Sequence, residues 1–194
     1  MFTEENLKET FLLFNQKIQE KKGYLNELDT PIGDGDHGTN MARGVDAVMH
    51  AELAGAVSDI FKQIAMALIT KVGGASGPLY GTAMLEMAKA SKESTDSASL
   101  LKVAYEGIEK RGASHPGQKT MLDVWVPAVA LIEENKKISK EEVETLAEAT
   151  KDLIATKGRA SYVGERSKGY IDPGAMSSAY LFEAMIDAGV FADD

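Results

Sequence analysis

Residues 3–18, TEENLKETFLLFNQKI, carry the pattern that decides the fold class. Leu7, Phe11, Phe14 and Ile18 follow one another at spacings of four, three and four residues, which places all four side chains on one face of an α-helix. Thr3 precedes two glutamates and is a suitable N-cap for that helix. The stretch therefore predicts an amphipathic helix that buries one face.

The same helical periodicity continues over most of the chain, and no stretch of useful length alternates polar and apolar residues as a strand would. Helix-start signals recur along the chain. Ser139 with Glu142 forms a capping box, and Asp172 with Pro173 forms an N-cap and first-turn pair for a last helix. We expect about eight helices, of which the seventh extends to about Gly158 and is followed by a loop.

Short connections favour antiparallel neighbours, so we predict an all-α, up-and-down assembly in a single domain over residues 1–194. In that arrangement the connections after helices one, three, five and seven lie at the same end. These four are rich in glycine, whereas the others are plain turns. They are DTPIGDGDHG (29–38), GGASG (73–77), GASHPGQK (112–119) and GRASYVGERSKGYIDPG (158–174). We therefore expect a site at that end.

Composition excludes several classes of function. The chain has no cysteine, which excludes disulfides, thiolate metal sites and cysteine nucleophiles. A net charge of -9 argues against a general nucleic-acid binder, because such proteins need a concentrated basic surface. The N-terminus does not resemble a signal peptide, and no apolar run approaches the length of a membrane span. We expect a cytoplasmic protein with no nucleic-acid or membrane partner.

The first glycine-rich connection concentrates negative charge. Asp29, Asp34 and Asp36 lie close together in sequence, and the turn formers between them let the chain fold back on itself. Three neighbouring carboxylates repel one another unless cations lie among them. Hard divalent ions with oxygen ligands, such as Mg²⁺, fit this donor set, and a solvated acidic turn is the alternative.

Two familiar motifs are excluded. An EF-hand loop that starts at Asp34 would need a ligand where Gly38 stands and a glutamate where Val45 stands. The stretch GASHPGQKT (112–120) approaches the phosphate loop of P-loop NTPases, but Gln118 occupies the lysine position and a helix precedes it instead of a strand.

Other features of these connections suit an anion. Glycine-rich turns that open a helix supply backbone N–H groups and the helix dipole, and GGASGP (73–78) has this form with Ser76 as an added hydroxyl. HGTN (37–40) and DPGA (172–175) stand at helix starts in the same way. Arg159 is a candidate phosphate clamp or simply a cation at a helix C-terminus.

Five motifs, in order and over essentially the whole chain, resemble those of the nucleotide-binding subunits of dihydroxyacetone kinases, the DhaL family. They are GDGDHGTNM (33–41), GGASGPLYGT (73–82), PGQKTMLDVW (116–125), GRASYVGERSKG (158–169) and DPGAMS (172–177). The resemblance implies an antiparallel eight-helix up-and-down barrel that binds its nucleotide at one rim.

The resemblance also implies a role for each matched position. Asp29, Asp34 and Asp36 would bind two Mg²⁺ ions that bridge the diphosphate of ADP. The residues implied at the phosphates and nearby groups are His37, Gly38, Thr39, Asn40, Ala75 and Ser76. The remaining ones are Gly112 and Met121 at the adenine, Arg159 at a phosphate, and Asp172, Pro173 and Gly174 closing the pocket. We assign no catalytic base or nucleophile, because the hydroxyl to be phosphorylated would lie on a partner.

The family has two branches. ATP-dependent enzymes fuse this domain to a substrate domain, whereas phosphotransferase-system versions are separate subunits that keep ADP as a resident cofactor. In those, a phosphohistidine phosphotransferase subunit (DhaM) rephosphorylates ADP, and the phosphoryl group passes to dihydroxyacetone on the substrate-binding subunit (DhaK). The length of this chain favours the second branch. The alternatives are the nucleotide domain of an ATP-dependent dihydroxyacetone or related kinase, and a non-catalytic metal-binding adaptor.

Overall fold

A computed structural model describes residues 1–192. Within that range the chain is helical and no residue lies in a β-strand, which confirms the all-α prediction. The α-helices are α1 (Glu4–Asp29), α2 (His37–Met49), α3 (Val57–Lys71), α4 (Ser76–Ala90), α5 (Ser97–Gly112), α6 (Leu122–Asn135), α7 (Lys140–Glu148) and α8 (Pro173–Asp187). Among the described residues, no helix combines the length and the apolar character needed to cross a bilayer.

The helices form a closed ring. Each one packs against the next along the chain, and α8 packs against α1. This is the barrel that the resemblance implied. The glycine-rich connections after α1, α3, α5 and α7 meet at one rim, where residues from all four line the same cavity.

Local signals set most of the helix starts as the sequence predicts. The Thr3 hydroxyl accepts a hydrogen bond from the backbone N–H of Asn6 at 3.1 Å, as an N-cap does. Ser139 and Glu142 form the predicted capping box at the start of α7. Asp172 caps α8, whose first residue is Pro173.

The apolar stripe of α1 lies in the core. Leu7, Phe11, Phe14 and Ile18 are each at most 1% exposed. Burial of a side chain of this size stabilises the fold by about 1.5–3 kcal/mol. The core continues between α6 and α8, where the rings of Trp125 and Phe182 meet edge to face with centroids 5.2 Å apart.

The predicted end of the seventh helix is wrong. α7 ends at Glu148, a 3₁₀ turn follows over Ala149–Asp152, and Leu153 is extended. Beyond this end, the Lys119 ammonium donates to the carbonyl oxygens of Thr150 at 2.7 Å and Leu153 at 3.2 Å. The Thr150 carbonyl also closes the 3₁₀ turn by accepting from the Leu153 N–H at 3.1 Å. Leu153 itself is extended and its carbonyl is bound by Lys119, so no helix continues from there to Gly158. The expected loop also contains 3₁₀ structure over Arg159–Ser167.

A buried carboxyl lies between α1, α7 and α8. Glu183 is 5% exposed, its Oε2 is 3.9 Å from the Lys17 ammonium, and its Oε1 has no hydrogen-bond partner among the described residues. Burial, with a smaller effect of the neighbouring Glu144, raises the pKa of Glu183 to about 7. A protonated Glu183 can donate a hydrogen bond to Glu144.

This carboxyl makes stability depend on pH. The folded protein keeps Glu183 protonated up to about pH 7, whereas the unfolded chain ionises it near 4.5, so stability falls as pH rises through that window. We expect Glu183→Gln to raise the free energy of unfolding at about pH 8 by about 1–3 kcal/mol and to reduce its decline between about pH 5 and 8. Urea unfolding at each pH measures this. Glu148→Gln, at an exposed position on α7, is the matched control, and an unchanged pH slope in the Glu183 variant contradicts the prediction.

Candidate nucleotide and metal site

The four glycine-rich connections line a cavity of about 500 Å³ at the rim of the barrel. This volume suits a small molecule or a cofactor. Of the fifteen predicted site residues, thirteen line the cavity. They are Asp29, Asp34, Asp36, His37, Asn40, Ala75, Ser76, Gly112, Met121, Arg159, Asp172, Pro173 and Gly174.

The other two predicted residues, Gly38 and Thr39, lie at the contact between α1 and α2. A Cβ atom at Gly38 would lie 2.0 Å from the carbonyl oxygen of Lys22, so only glycine allows the helices to approach this closely. Thr39 exchanges two hydrogen bonds of 3.0 Å with the side-chain amide of Asn26. Both residues therefore have partners within the protein, and their contact with a phosphate stays a prediction.

The acidic connection folds back on Asp29, as its turn formers predict. Asp29 Oδ2 accepts hydrogen bonds from the backbone N–H groups of Asp36 at 2.9 Å and His37 at 3.1 Å. Gly33 packs so closely that a Cβ atom there would lie 2.1 Å from Asp29 Oδ1. Burial raises the pKa of Asp29, the negative charge of Asp36 adds to the rise, and the backbone hydrogen bonds oppose it. Asp29 thus organises the loop and carries a charge that a cation would stabilise.

Asp34 and Arg159 form an ion pair across the mouth of the cavity. Arg159 Nε lies 2.9 Å from Asp34 Oδ2, and both residues are exposed. The pair joins the first glycine-rich connection to the fourth. Exposed pairs of this kind contribute about 0–1 kcal/mol, so either partner is free to exchange the other for a ligand at little cost.

Asp29, Asp34 and Asp36 supply oxygen ligands of the kind that divalent cations bind, but they do not surround a single point. Among residues 1–192, no three side chains of the His, Cys, Asp and Glu types surround one point as a metal site would require. Asp29 is turned inward by its backbone hydrogen bonds, and Asp34 is paired with Arg159. Mg²⁺ ordinarily takes one or two carboxylates and fills its other positions with water and phosphate oxygens. The oxygen donors on this wall fit such an ion.

The N-termini of α2, α4 and α8 reach the cavity, and they differ in how their N–H groups are used. At α2 the N–H groups of Asp36 and His37 donate to Asp29 Oδ2. In the part of the chain that the structure describes, no side chain caps the first turn of α4, and Ala75 and Ser76 lie at the cavity wall. Its free N–H groups and the helix dipole suit an anion. At α8 the Asp172 carboxylate accepts from the N–H of Ala175 at 2.8 Å, and burial raises its pKa to about 7. The first turn of α4 therefore suits an anion better than the other two, and an anion there stays a prediction.

His37 lies at the inner wall of the cavity and is 8% exposed. Its Nε2 is 2.8 Å from Ser177 Oγ, and its Nδ1 is 3.4 Å from Ser76 Oγ. Burial lowers the pKa of His37 to about 4, so the imidazole is neutral near pH 7.

Lys119 is a site residue that the sequence analysis missed. It is 1% exposed, and its ammonium donates to the carbonyl oxygens of Thr150, Leu153 and Tyr170. Burial lowers its pKa. It ties the third glycine-rich connection to the fourth beneath the cavity. No local signal in the sequence identifies it, because lysine is ordinarily exposed.

The cavity is also lined by apolar side chains that were not among the predicted site residues. Leu79 and Ile108 belong to helical stripes on α4 and α5, and Ile32 lies in the acidic connection. Together with Met121 they give the cavity lining an apolar part, as ligand pockets commonly have. Arg111 and Lys157 add positive charge at the edge.

The fold and the cavity define an all-helical domain with a charged ligand site at one rim of a closed barrel. The chain belongs to the DAK2-domain family, whose family model matches residues 31–187. It is 54% identical over 177 residues to the PTS-dependent dihydroxyacetone kinase, ADP-binding subunit DhaL, of Lactococcus lactis, covering 90% of this chain and 92% of the relative. It is 52% identical over 184 residues to the PEP-dependent dihydroxyacetone kinase 1, ADP-binding subunit DhaL, of Listeria innocua, covering 91% and 92%.

Solved structures show the same fold at lower identity. The native dihydroxyacetone kinase of C. freundii superposes with a TM-score of 0.76 at 22% identity, over 92% of this chain. The same enzyme in complex with AMP-PNP and Mg²⁺ gives a TM-score of 0.74. This chain spans 33% of the length of that kinase. At this identity the likeness is one of fold.

The three hydrogen bonds of Lys119 predict a large effect of its removal. We expect Lys119→Met to lower the free energy of unfolding by about 2–4 kcal/mol, because three carbonyl oxygens lose a charged donor. Urea unfolding measures the loss, and hydrogen exchange should rise between residues 150 and 170. Lys110→Met, at an exposed position on α5, is the control. Wild-type stability and protection in the Lys119 variant contradict this role.

Proposed function

We propose that this chain is the ADP-binding subunit of a phosphoenolpyruvate-dependent dihydroxyacetone kinase. The observation that carries the proposal is the composition of the cavity, which joins three carboxylates, an uncapped helix N-terminus and an apolar wall. Each of these suits one part of a metal-bound nucleotide. Relatives that align over about nine-tenths of both chains are named as ADP-binding subunits, which supports the same ligand.

The chemistry of the walls suggests how the nucleotide is oriented. Gly112 and Met121, with Leu79 and Ile108 beside them, would border the adenine ring. The uncapped N–H groups at the start of α4, near Ser76, would receive the diphosphate. Asn40, Asp172, Pro173 and Gly174 complete the lining around it.

Asp29, Asp34 and Asp36 would hold two Mg²⁺ ions in this arrangement. When bound, the ions would neutralise charge on the diphosphate and on the phosphoryl group in transfer. The Arg159 guanidinium, which pairs with Asp34 at an exposed position, would be available to bind a phosphate group. The dihydroxyacetone kinase of C. freundii, which has a similar fold, has been solved in complex with AMP-PNP and Mg²⁺, and this supports a nucleotide and Mg²⁺ as ligands here.

The activity would be a relay between two partner proteins. A phosphohistidine phosphotransferase subunit (DhaM) would phosphorylate the bound ADP, and the subunit that carries dihydroxyacetone (DhaK) would receive the phosphoryl group. The residues of this chain would contribute positioning and electrostatic stabilisation, and no general base or covalent nucleophile is assigned to it. A protein with this activity would be located in the cytoplasm.

The mass of the purified protein tests the proposed cofactor. We expect the native mass to exceed the denatured mass by one ADP with Mg²⁺, because the nucleotide would remain bound during purification. Calorimetric titration of stripped protein with ADP, with and without Mg²⁺, is the second measurement. Protein that carries no nucleotide and shows no Mg²⁺-dependent binding of ADP would overturn the proposal.

The role of the acidic connection has its own test. We expect Asp34→Ala to weaken binding of ADP in the presence of Mg²⁺ by more than about 10-fold, because a metal ligand is lost. Circular dichroism should show unchanged helicity, since Asp34 is exposed and outside every helix. Asp46→Ala, at an exposed position on α2, is the control. Wild-type affinity in the Asp34 variant would mean that this carboxylate serves only the turn.

A further inference from the structure

A line of buried polar side chains runs from the cavity into the core. His37 Nε2 lies 2.8 Å from Ser177 Oγ, and Tyr80 OH lies 2.8 Å from Ser177 Oγ and 2.9 Å from Ser178 Oγ. The indole N–H of Trp125 donates to Ser178 Oγ at 2.9 Å. All five side chains belong to residues that are at most 8% exposed. Water is therefore excluded from the links between them.

The number of hydrogens in this line equals the number of hydrogen bonds. Two further contacts extend the four links, since Ser177 Oγ donates to the carbonyl oxygen of Gly174 at 3.1 Å and Ser76 Oγ lies 3.4 Å from His37 Nδ1. For an imidazole that carries one hydrogen, the available hydrogens are that one, one on the indole, one on the tyrosine and one on each of three serines. All six contacts are therefore satisfied only if each hydrogen serves one of them.

This condition fixes the direction of the links in the core. The carbonyl oxygen of Gly174 only accepts, so the hydrogen of Ser177 is used there. Tyr80 must then donate to Ser177, and Ser178 must donate to Tyr80. Ser178 accepts from Trp125, whose indole nitrogen only donates. No other assignment satisfies every contact.

The same condition fixes the imidazole. Since Ser177 has no second hydrogen, it accepts from His37 Nε2, and Nε2 must carry the imidazole hydrogen. Nδ1 is then bare and accepts the hydrogen of the Ser76 hydroxyl. The alternative tautomer leaves the contact between Ser177 and Gly174 without a hydrogen.

We propose that the buried serine and tyrosine hydroxyls hold His37 as the Nε2–H tautomer, with a bare Nδ1 facing the cavity and Ser177 as the positioning residue. A bare ring nitrogen accepts a hydrogen bond from a hydroxyl or a water and repels a phosphate oxygen. In the part that rests on the proposed function, the His37 ring orients the Ser76 hydroxyl beside the nucleotide. The phosphates are left to the N–H groups of α4 and to Arg159.

Histidine nitrogen spectra of the full chain test the tautomer directly. Long-range ¹H–¹⁵N correlation at about pH 7.5, without nucleotide, distinguishes a protonated ring nitrogen from a bare one. The chain has three histidines, and His50→Gln and His115→Gln at exposed positions assign the other two. We expect a protonated Nε2 and a bare Nδ1 for His37. A hydrogen on Nδ1 in the wild-type protein overturns the proposal.

A pair of neighbouring serines tests the role of Ser177. Ser177→Ala removes the acceptor of the Nε2 hydrogen, and we expect the tautomer ratio to shift by about 5-fold or more toward Nδ1–H. Ser178→Ala removes an equally buried hydroxyl but leaves that acceptor in place, so the ratio should not change. An unchanged ratio in the Ser177 variant overturns its positioning role. Wild-type protein with the expected tautomer and no affinity for ADP would contradict the proposed function alone.

Discussion

The contact between α8 and α1 closes the eight helices into a ring, and the position of the site depends on that closure. In an open row of helices, the apolar stripe of α1 would face solvent and the four glycine-rich connections would spread along an edge. In the ring, Phe11 and Phe14 are buried, and every residue of α8 from Ala175 to Met185 is buried as well. Hydrophobic burial that stabilises the barrel therefore also gathers the connections around one cavity.

The charged side chains at the rim form two groups: those hydrogen-bonded to the backbone, and those that only pair with another exposed charge. Asp29 and Lys119 are bound to backbone groups of the protein and shape the floor of the cavity. Asp34 and Arg159 are exposed and, within residues 1–192, their side chains are bound only to each other in the ion pair at the mouth. Charged ligands would exchange with the second kind while the first kept the loops in place. An acidic protein can in this way hold an anionic cofactor without a broad basic surface.

Sequence reasoning reached the features that local chemistry determines. Helical periodicity, the caps at Thr3 and Ser139 and the shared end of four connections are all set by residues near one another in the chain. The course of the chain after α7 was not predictable, because Lys119, which binds the carbonyl oxygens of Thr150 and Leu153, lies about thirty residues away in sequence. The predicted role of Gly38 at a phosphate stays a prediction, and the sequence did not reveal its close approach to the Lys22 carbonyl on another helix. Such contacts depend on how the helices pack.

The buried Lys119 gives the fourth connection an unusual construction. The carbonyl oxygens of Leu153 and Tyr170 are bound by the same ammonium, so the residues between them form a loop whose two ends are held together, in the manner of an Ω-loop. A disulfide at the neck of such a loop would also constrain the unfolded chain, whereas these hydrogen bonds hold the two ends together only in the folded protein. This chain has no cysteine. Hydrogen bonds from one lysine hold the two ends of this loop together instead, so the segment that carries Arg159 is anchored at both ends.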